Sequence, residues 1–394
     1  MAAPETASGR RSTASLGTIV HEWGRIGIVA FGGPPAHIAM LRDLCVERRR
    51  WITAKRFEDA IAATNLLPGP ASTQLAIFTA WRVRGAAGAL VGGLCFIVPG
   101  LILILALAAL FLGSPPEWVR GAGAGAGAAV AAVAVHAGVS LLGPSWRRAI
   151  ADGRWRFVAY TVLGAASAAT LGPWLVLVLL ACGLVELGWR GLQRRLANGL
   201  PSVQPLPLLA LAAAAAGGGL ASLAWVAFKV GALSYGGGFV IIPLMQADAV
   251  EQYHWMTDGE FLNAVALGQV TPGPVTHTVA VVGYAAAGVP GALLAACIAF
   301  APSFLFVLLG ADRFDRLLVN AGVRSFFDGA GPAAIGAILG SAIPLALALQ
   351  HAWQAVVLVG AAVLLFLVRR GVVFTLLAAG AAGVVVVLLG APVD

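Results

Sequence analysis

An all-α integral membrane protein, built as two inverted repeats of about five transmembrane helices each with re-entrant Pro-Gly-Pro hairpins, is the fold class this sequence predicts. Three observations predict it. Of 394 residues, 60% are hydrophobic and 11% charged, with a mean hydropathy of +0.90, far from the composition of a soluble domain. The two halves of the chain match one another residue for residue over long stretches. Clusters of Gly and Pro interrupt otherwise apolar runs at matching places in each half.

Along the chain, residues 1–15 form a polar N-terminal segment, 16–190 a first repeat, 191–205 a cytoplasmic linker and 206–394 a second repeat. Runs such as Ala86 to Leu112, Ala355 to Val368 and Val372 to Leu389 suit the roughly 20 residues a helix needs to cross about 30 Å of hydrocarbon. Residues 57–84 and 261–287 read as re-entrant hairpins bent at Pro68-Gly69-Pro70 and Pro272-Gly273-Pro274. Spans 157–170 and 173–189 are short and divided by Leu171-Gly172-Pro173, which points to a tight helical hairpin. Gly121 to Ala134 reads as a helix packed on a neighbour through small residues. The first apolar stretch carries His21, Glu22 and Arg25, unlike the core of a cleavable signal, so none is expected.

Setting Phe31 on Tyr235 gives an offset of 204 positions that holds without a gap for some forty residues. It places Ile38 on Ile242, Glu47 on Glu251, Trp51 on Trp255, Thr53 on Thr257, Phe57 on Phe261 and one Pro-Gly-Pro on the other. After a one-residue slip, Gly85 meets Gly288 and Pro99 meets Pro302. Charge distinguishes the copies. Arg42, Arg48, Arg49, Arg50, Lys55 and Arg56 crowd one loop, whereas its counterpart holds Asp248, Glu251, Asp258 and Glu260 and no Lys or Arg. Positive charge stays in the cytoplasm, so the halves are expected upside down relative to one another. Arg10 and Arg11 are the exception, since an odd number of spans puts the N-terminus outside.

Broken backbone at membrane depth is tolerated only where protein or a water-filled cavity satisfies the freed amides and carbonyls. The breaks at Gly32-Gly33, Gly69, Gly236-Gly237 and Gly273 are therefore candidate binding elements, the alternative being simple kinks. With Pro70 and Pro274 at first helical positions, Ser72, Thr73 and Gln74, and Thr276 and His277, fall in first turns whose free amides favour an anion. Arg25 and Lys229, matched by the offset, are cations inside apolar runs, costly there unless they face a cavity or partner. Snorkelling, or a pair between Arg25 and Glu22, is the competing reading. His37 and His277 are candidate hydrogen-bonding or proton-carrying groups, and Asn65 and Gln269 neutral donors ahead of the Pro-Gly-Pro turns. Glu22, Glu58 and Asp59 are the acidic candidates for proton coupling. The four cysteines form no Cys-x-x-Cys pair, so neither a disulfide framework nor a thiolate metal site is expected.

The runs Phe31-Gly32-Gly33-Pro34-Pro35-Ala36-His37-Ile38, Val46 to Thr53, and Leu66 to Gln74 closely resemble the chromate transporter family, as do Ser234 to Gly238 and Thr271 to Pro274. The resemblance covers nearly the whole chain in the family's long, two-domain form, with Tyr235 where many members carry Phe. It implies transport of chromate, typically efflux giving resistance in bacteria, with sulfate as a related dianion. The expected setting is a multi-pass protein of the bacterial inner membrane, with no cofactor, protons as coupling ion and a homodimer as the assembly left open. A passive anion channel is the alternative. Positive charge sits in short loops, so nucleic acid is not an expected partner. No Gly-x-Ser-x-Gly elbow and no His-Glu-x-x-His speaks for an enzyme.

Overall fold

In the computed structural model, residues 14–64, 69–113, 115–149, 153–171, 174–198, 219–234, 240–310 and 320–393 are described. Asn65, Pro68, Gly236, Gly237, Gly172, Pro173, Arg10, Arg11 and the last seven residues of the expected linker lie outside them. All regular structure among the described residues is helical.

Helix α1 (Leu16–Val29) starts where the Ser15 hydroxyl accepts the Thr18 amide at 3.1 Å, and it ends just ahead of Gly32-Gly33. At 14 residues it is about 21 Å long, shorter than a bilayer's hydrocarbon. Pro34 opens α2 (Pro34–Arg42), which runs into a π-helical turn at Asp43–Arg48. Helix α3 (Ala54–Thr64) packs on α4 (Ala71–Phe111). Then come α5 (Glu117–Ala128), α6 (Val130–Arg148), α7 (Arg154–Thr170) and α8 (Leu175–Asn198), the last extending through the first eight residues assigned to the linker. The second half supplies α9 (Leu220–Leu233), α10 (Ile241–Gln246) with its own π-helical turn at Ala247–Gln252, and α11 (Asp258–Val270), opened by a Thr257–Glu260 capping box. Helices α12 (Thr278–Gly310), α13 (Ala321–Leu347), α14 (Ala352–Ala362) and α15 (Val372–Leu388) complete it.

Backbone detail recurs at the sequence offset. The two π-helical turns are followed by left-handed residues at Arg50 (φ 52°) and His254 (φ 50°). Each long helix bends sharply once, α4 at Gly85 (φ 62°, ψ −150°) and α12 at Gly288 (φ 61°, ψ −154°), a conformation only glycine adopts without strain. The stretches Ala71–Phe111, Glu117–Arg147, Leu175–Gln193, Val275–Gly310 and Ala321–Leu347 are long and apolar enough to cross a membrane, with Leu220–Leu233, Ala352–Leu367 and Val372–Leu388 as shorter apolar helices.

Small residues set the packing distances. A Cβ on Gly27 would meet the Cys95 and Phe96 carbonyls at 2.7 and 2.8 Å, so α1 crosses α4 there. At Gly231 it would overlap the Ala299 carbonyl, so α9 crosses α12 in the same way. The predicted small-residue helix does pack closely, Gly121 and Gly125 of α5 lying on α15 around Gly383. Helix α13 lies against α6, α7 and α8.

Candidate functional site

The breaks meet across the halves. The Gly273 amide donates to the Ala30 carbonyl at 3.2 Å, and Gly33 faces Val275. On the other side, a Cβ at Gly69 would come within 3.3 Å of the Gly231 carbonyl and 3.4 Å of Ser303 Oγ. Each half's Pro-Gly-Pro segment thus abuts the end of the other half's first helix, and the first turn of α4 links the two contacts. Gly32 (φ 99°), Gly33 (φ 72°), Gly69 (φ 118°) and Gly273 (φ 91°) all have left-handed φ, which explains glycine at each.

The prolines stand one position earlier than expected. Pro70 and Pro274 are extended cap residues (ψ 102° and 132°), so α4 begins at Ala71 and a short 3₁₀ turn, Val275–His277, precedes α12. Ser72, Thr73 and Gln74 still fall in the first turn of α4.

His37 and His277 are both fully buried but differ in bonding. His37 Nε2 is 3.2 Å from the Ala30 carbonyl and Nδ1 is 3.1 Å from Ser72 Oγ, with the ring edge-on to Phe96. A carbonyl only accepts, so Nε2 carries the proton and Nδ1 accepts from the serine hydroxyl. This bonding joins the ends of α1 and α4 and the Gly273 break in one network. His277 instead packs edge-on to Phe300, with its Cε1 and Nδ1 flush against Gly100 and Gly273. By geometry neither of its ring nitrogens completes a hydrogen bond with a described residue, although the Ile97 carbonyl interacts with the ring. The buried Thr73 Oγ1, Thr276 Oγ1, Gln269 Nε2, Ser234 Oγ and Ser303 Oγ likewise complete no hydrogen bond among the described residues. All of these lie in or beside the breaks. Unpartnered polar atoms away from water cost free energy, so their gathering here marks a place built to meet polar matter.

The matched cations part company. Arg25 lies exposed on α1, in no ion pair with a described residue. Glu22 is taken instead by Arg49 at 2.7 Å and by Arg48 at 3.8 Å. Lys229 is buried and held by Asp248 at 2.7 Å, with its ammonium 5.7 Å from the Trp225 ring centre. The geometry therefore brings together Gly32, Gly33, His37, Gly69, Ser72, Thr73, Gln74, Gln269, Gly273, Thr276 and His277, and leaves Arg25 apart.

Sequence reasoning did not find Ser234, Ser303, Gly100, Gly231 or Asp248. Gly231 was within reach, being Gly27 plus the offset. Asp248 was not, because its counterpart is Leu44.

The family model described as chromate transporter matches residues 17–187 and again 221–384. A chromate transport protein of Cupriavidus metallidurans is 32% identical over 358 residues, covering 86% of each chain. One from Pseudomonas aeruginosa is 33% identical over 334 residues, covering 82% of this chain and 79% of its own. A probable chromate transport protein of Synechococcus elongatus is 28% identical and covers 84% of both. No solved structure matches significantly.

Proposed function

Since the chain belongs to the chromate transporter family, we propose that it is a secondary transporter that carries chromate, or a sulfate-like dianion, out of a bacterial cell across the inner membrane, with its transport coupled to protons. The observation that carries this reading is the gathering of buried polar groups, without hydrogen-bond partners among the described residues, around the breaks at Gly33, Gly69 and Gly273. Hydroxyls at Thr73, Ser234, Thr276 and Ser303 and the Gln269 amide present donors with no acceptor among the described residues, and the His277 ring lies beside them. A tetrahedral oxyanion is all acceptor. Free amides in the first turn of α4 add a positive dipole end, as at helix N-termini that hold anions.

Two halves of opposite orientation would give such a site equal access to both faces as one half rocks against the other. The charge contrast between the Arg48 and Glu251 loops supports that orientation.

The experiment is chromate flux into liposomes holding the purified chain, with sulfate as competitor. Thr276→Val and His277→Ala are each expected to raise the half-saturating chromate concentration at least several-fold while the protein still inserts. Unchanged flux and unchanged half-saturation in both variants would remove the site.

A further inference from the structure

Lys229 and Asp248 form the most deeply buried of the described ion pairs, with side chains 7% and 1% exposed and the ammonium 2.7 Å from either carboxylate oxygen. Such a pair adds little net stability, because stripping water from two charges offsets most of their attraction. The first half shows that this backbone does not need it. There the same positions hold Arg25, exposed, and Leu44, buried, while the π-helical turn and the left-handed residue after it are unchanged. Lys229 stands five residues ahead of Ser234, the cap residue of α9, whose buried hydroxyl has no partner among the described residues.

We infer that Asp248 is the binding site of the coupling proton, and that Lys229 is the counter-charge which Asp248 and the transported dianion share in turn. The inference rests on the anion site proposed above. A dianion at the break competes for the Lys229 ammonium. Asp248, left buried without its partner, takes a proton from hydronium, releasing water, and becomes a neutral carboxylic acid. When the anion departs, Lys229 returns, and the carboxylic acid gives its proton back to water. Of the elements packed on the π-helical turn, α9 brings Lys229, α10 brings no titratable side chain, and α11 brings Asp258 and Glu260 in its first turn, Glu260 being bound to Thr257. On the turn itself Glu251 is exposed.

The sign of the coupling follows. Proton and anion are bound together and released together, so they travel in the same direction, and one proton with one dianion carries a single negative charge. An interior-negative potential drives that complex outward, whereas a more acidic exterior drives it inward.

The test uses the full chain in liposomes, with chromate as probe and both sides alkaline enough that chromate stays a dianion. A relatively acidic exterior is expected to speed chromate entry several-fold in the wild type. Asp248→Asn should keep chromate flux down its own gradient and lose that acceleration, and Asp248→Glu should keep it with a shifted pH profile. Gradient response retained in Asp248→Asn, or a pH profile identical in Asp248→Glu, overturns the proton assignment while leaving the anion site standing. A wild type accelerated by external alkali overturns the shared direction. A wild type that moves no chromate overturns the anion site, and this inference falls with it.

Discussion

The opening unit of the first half, α1 with α2, and that of the second, α9 with α10, share a backbone and exchange their charges. In the first, the acid sits on the long helix and the bases at the end of the π-helical turn, Glu22 facing Arg49 and Arg48. In the second, the base sits on the long helix and the acid within the turn, Lys229 facing Asp248. The settings differ as well. Arg49 is 47% exposed, so water screens the first pair, while both members of the second are out of water. Arginine holds its charge under all conditions and suits a fixed brace; a lysine–aspartate pair can be parted by a proton. One duplicated backbone thus carries a permanent tie in one copy and a separable one in the other.

The contrast breaks most sharply at Lys229. Lys229→Met leaves Asp248 buried and unpaired, at a cost of about 3–5 kcal/mol, and is expected to lower the yield of inserted, monodisperse protein. Adding Asp248→Leu, which restores the residue type of the first half, should recover the yield. A double variant no better than the single would show that the pair is structural after all.

Next in size are the glycine crossings, which test whether the two units pack alike. Gly231→Val drives a side chain into the Ala299 carbonyl and Gly27→Val into those of Cys95 and Phe96, each overpacking a helix crossing by about 1–3 kcal/mol. Comparable falls in thermal unfolding temperature are expected in detergent. A shift in one and not the other would confine the equivalence to dihedral angles.

Smaller still is the first unit's own pair. Glu22→Gln frees two half-exposed arginines and is expected to cost about 1 kcal/mol, with chromate flux and its gradient response preserved. Loss of the gradient response in this variant would move the proton site to the first half. Arg25→Gln, at an exposed position, should change stability by less than about 0.5 kcal/mol and flux hardly at all.

Relative orientation is checked separately, with single cysteines at Arg50 and Glu251 on a cysteine-free background and a membrane-impermeant thiol reagent. Labelling from opposite faces is the expected result. Labelling from one face would end the inverted arrangement.

Much of the candidate site was legible because backbone constraints are written in residue type. Gly32, Gly33, Gly69 and Gly273 announce conformations closed to other residues, and Pro70 and Pro274 announce the limits of helices. Side-chain partnership was not legible. The offset makes Arg25 and Lys229 equivalents, yet one faces outward and the other is locked to an aspartate that has no counterpart. His37 and His277 look alike as buried histidines beside breaks. Only the fold gives one the Ala30 carbonyl and Ser72 and gives the other neither.

By itself the sequence determined the helical membrane class, the duplication and the positions of the breaks, because apolar length, repeated motifs and glycine or proline geometry act locally along the chain. Tertiary structure alone decided which break meets which, where Gly273 bonds to Ala30 and Gly69 approaches Gly231, and which charges are neutralised. The meeting breaks lie more than a hundred residues apart, and the Glu22–Arg49 and Lys229–Asp248 pairs join residues 27 and 19 apart on separate elements, so no local propensity encodes either outcome.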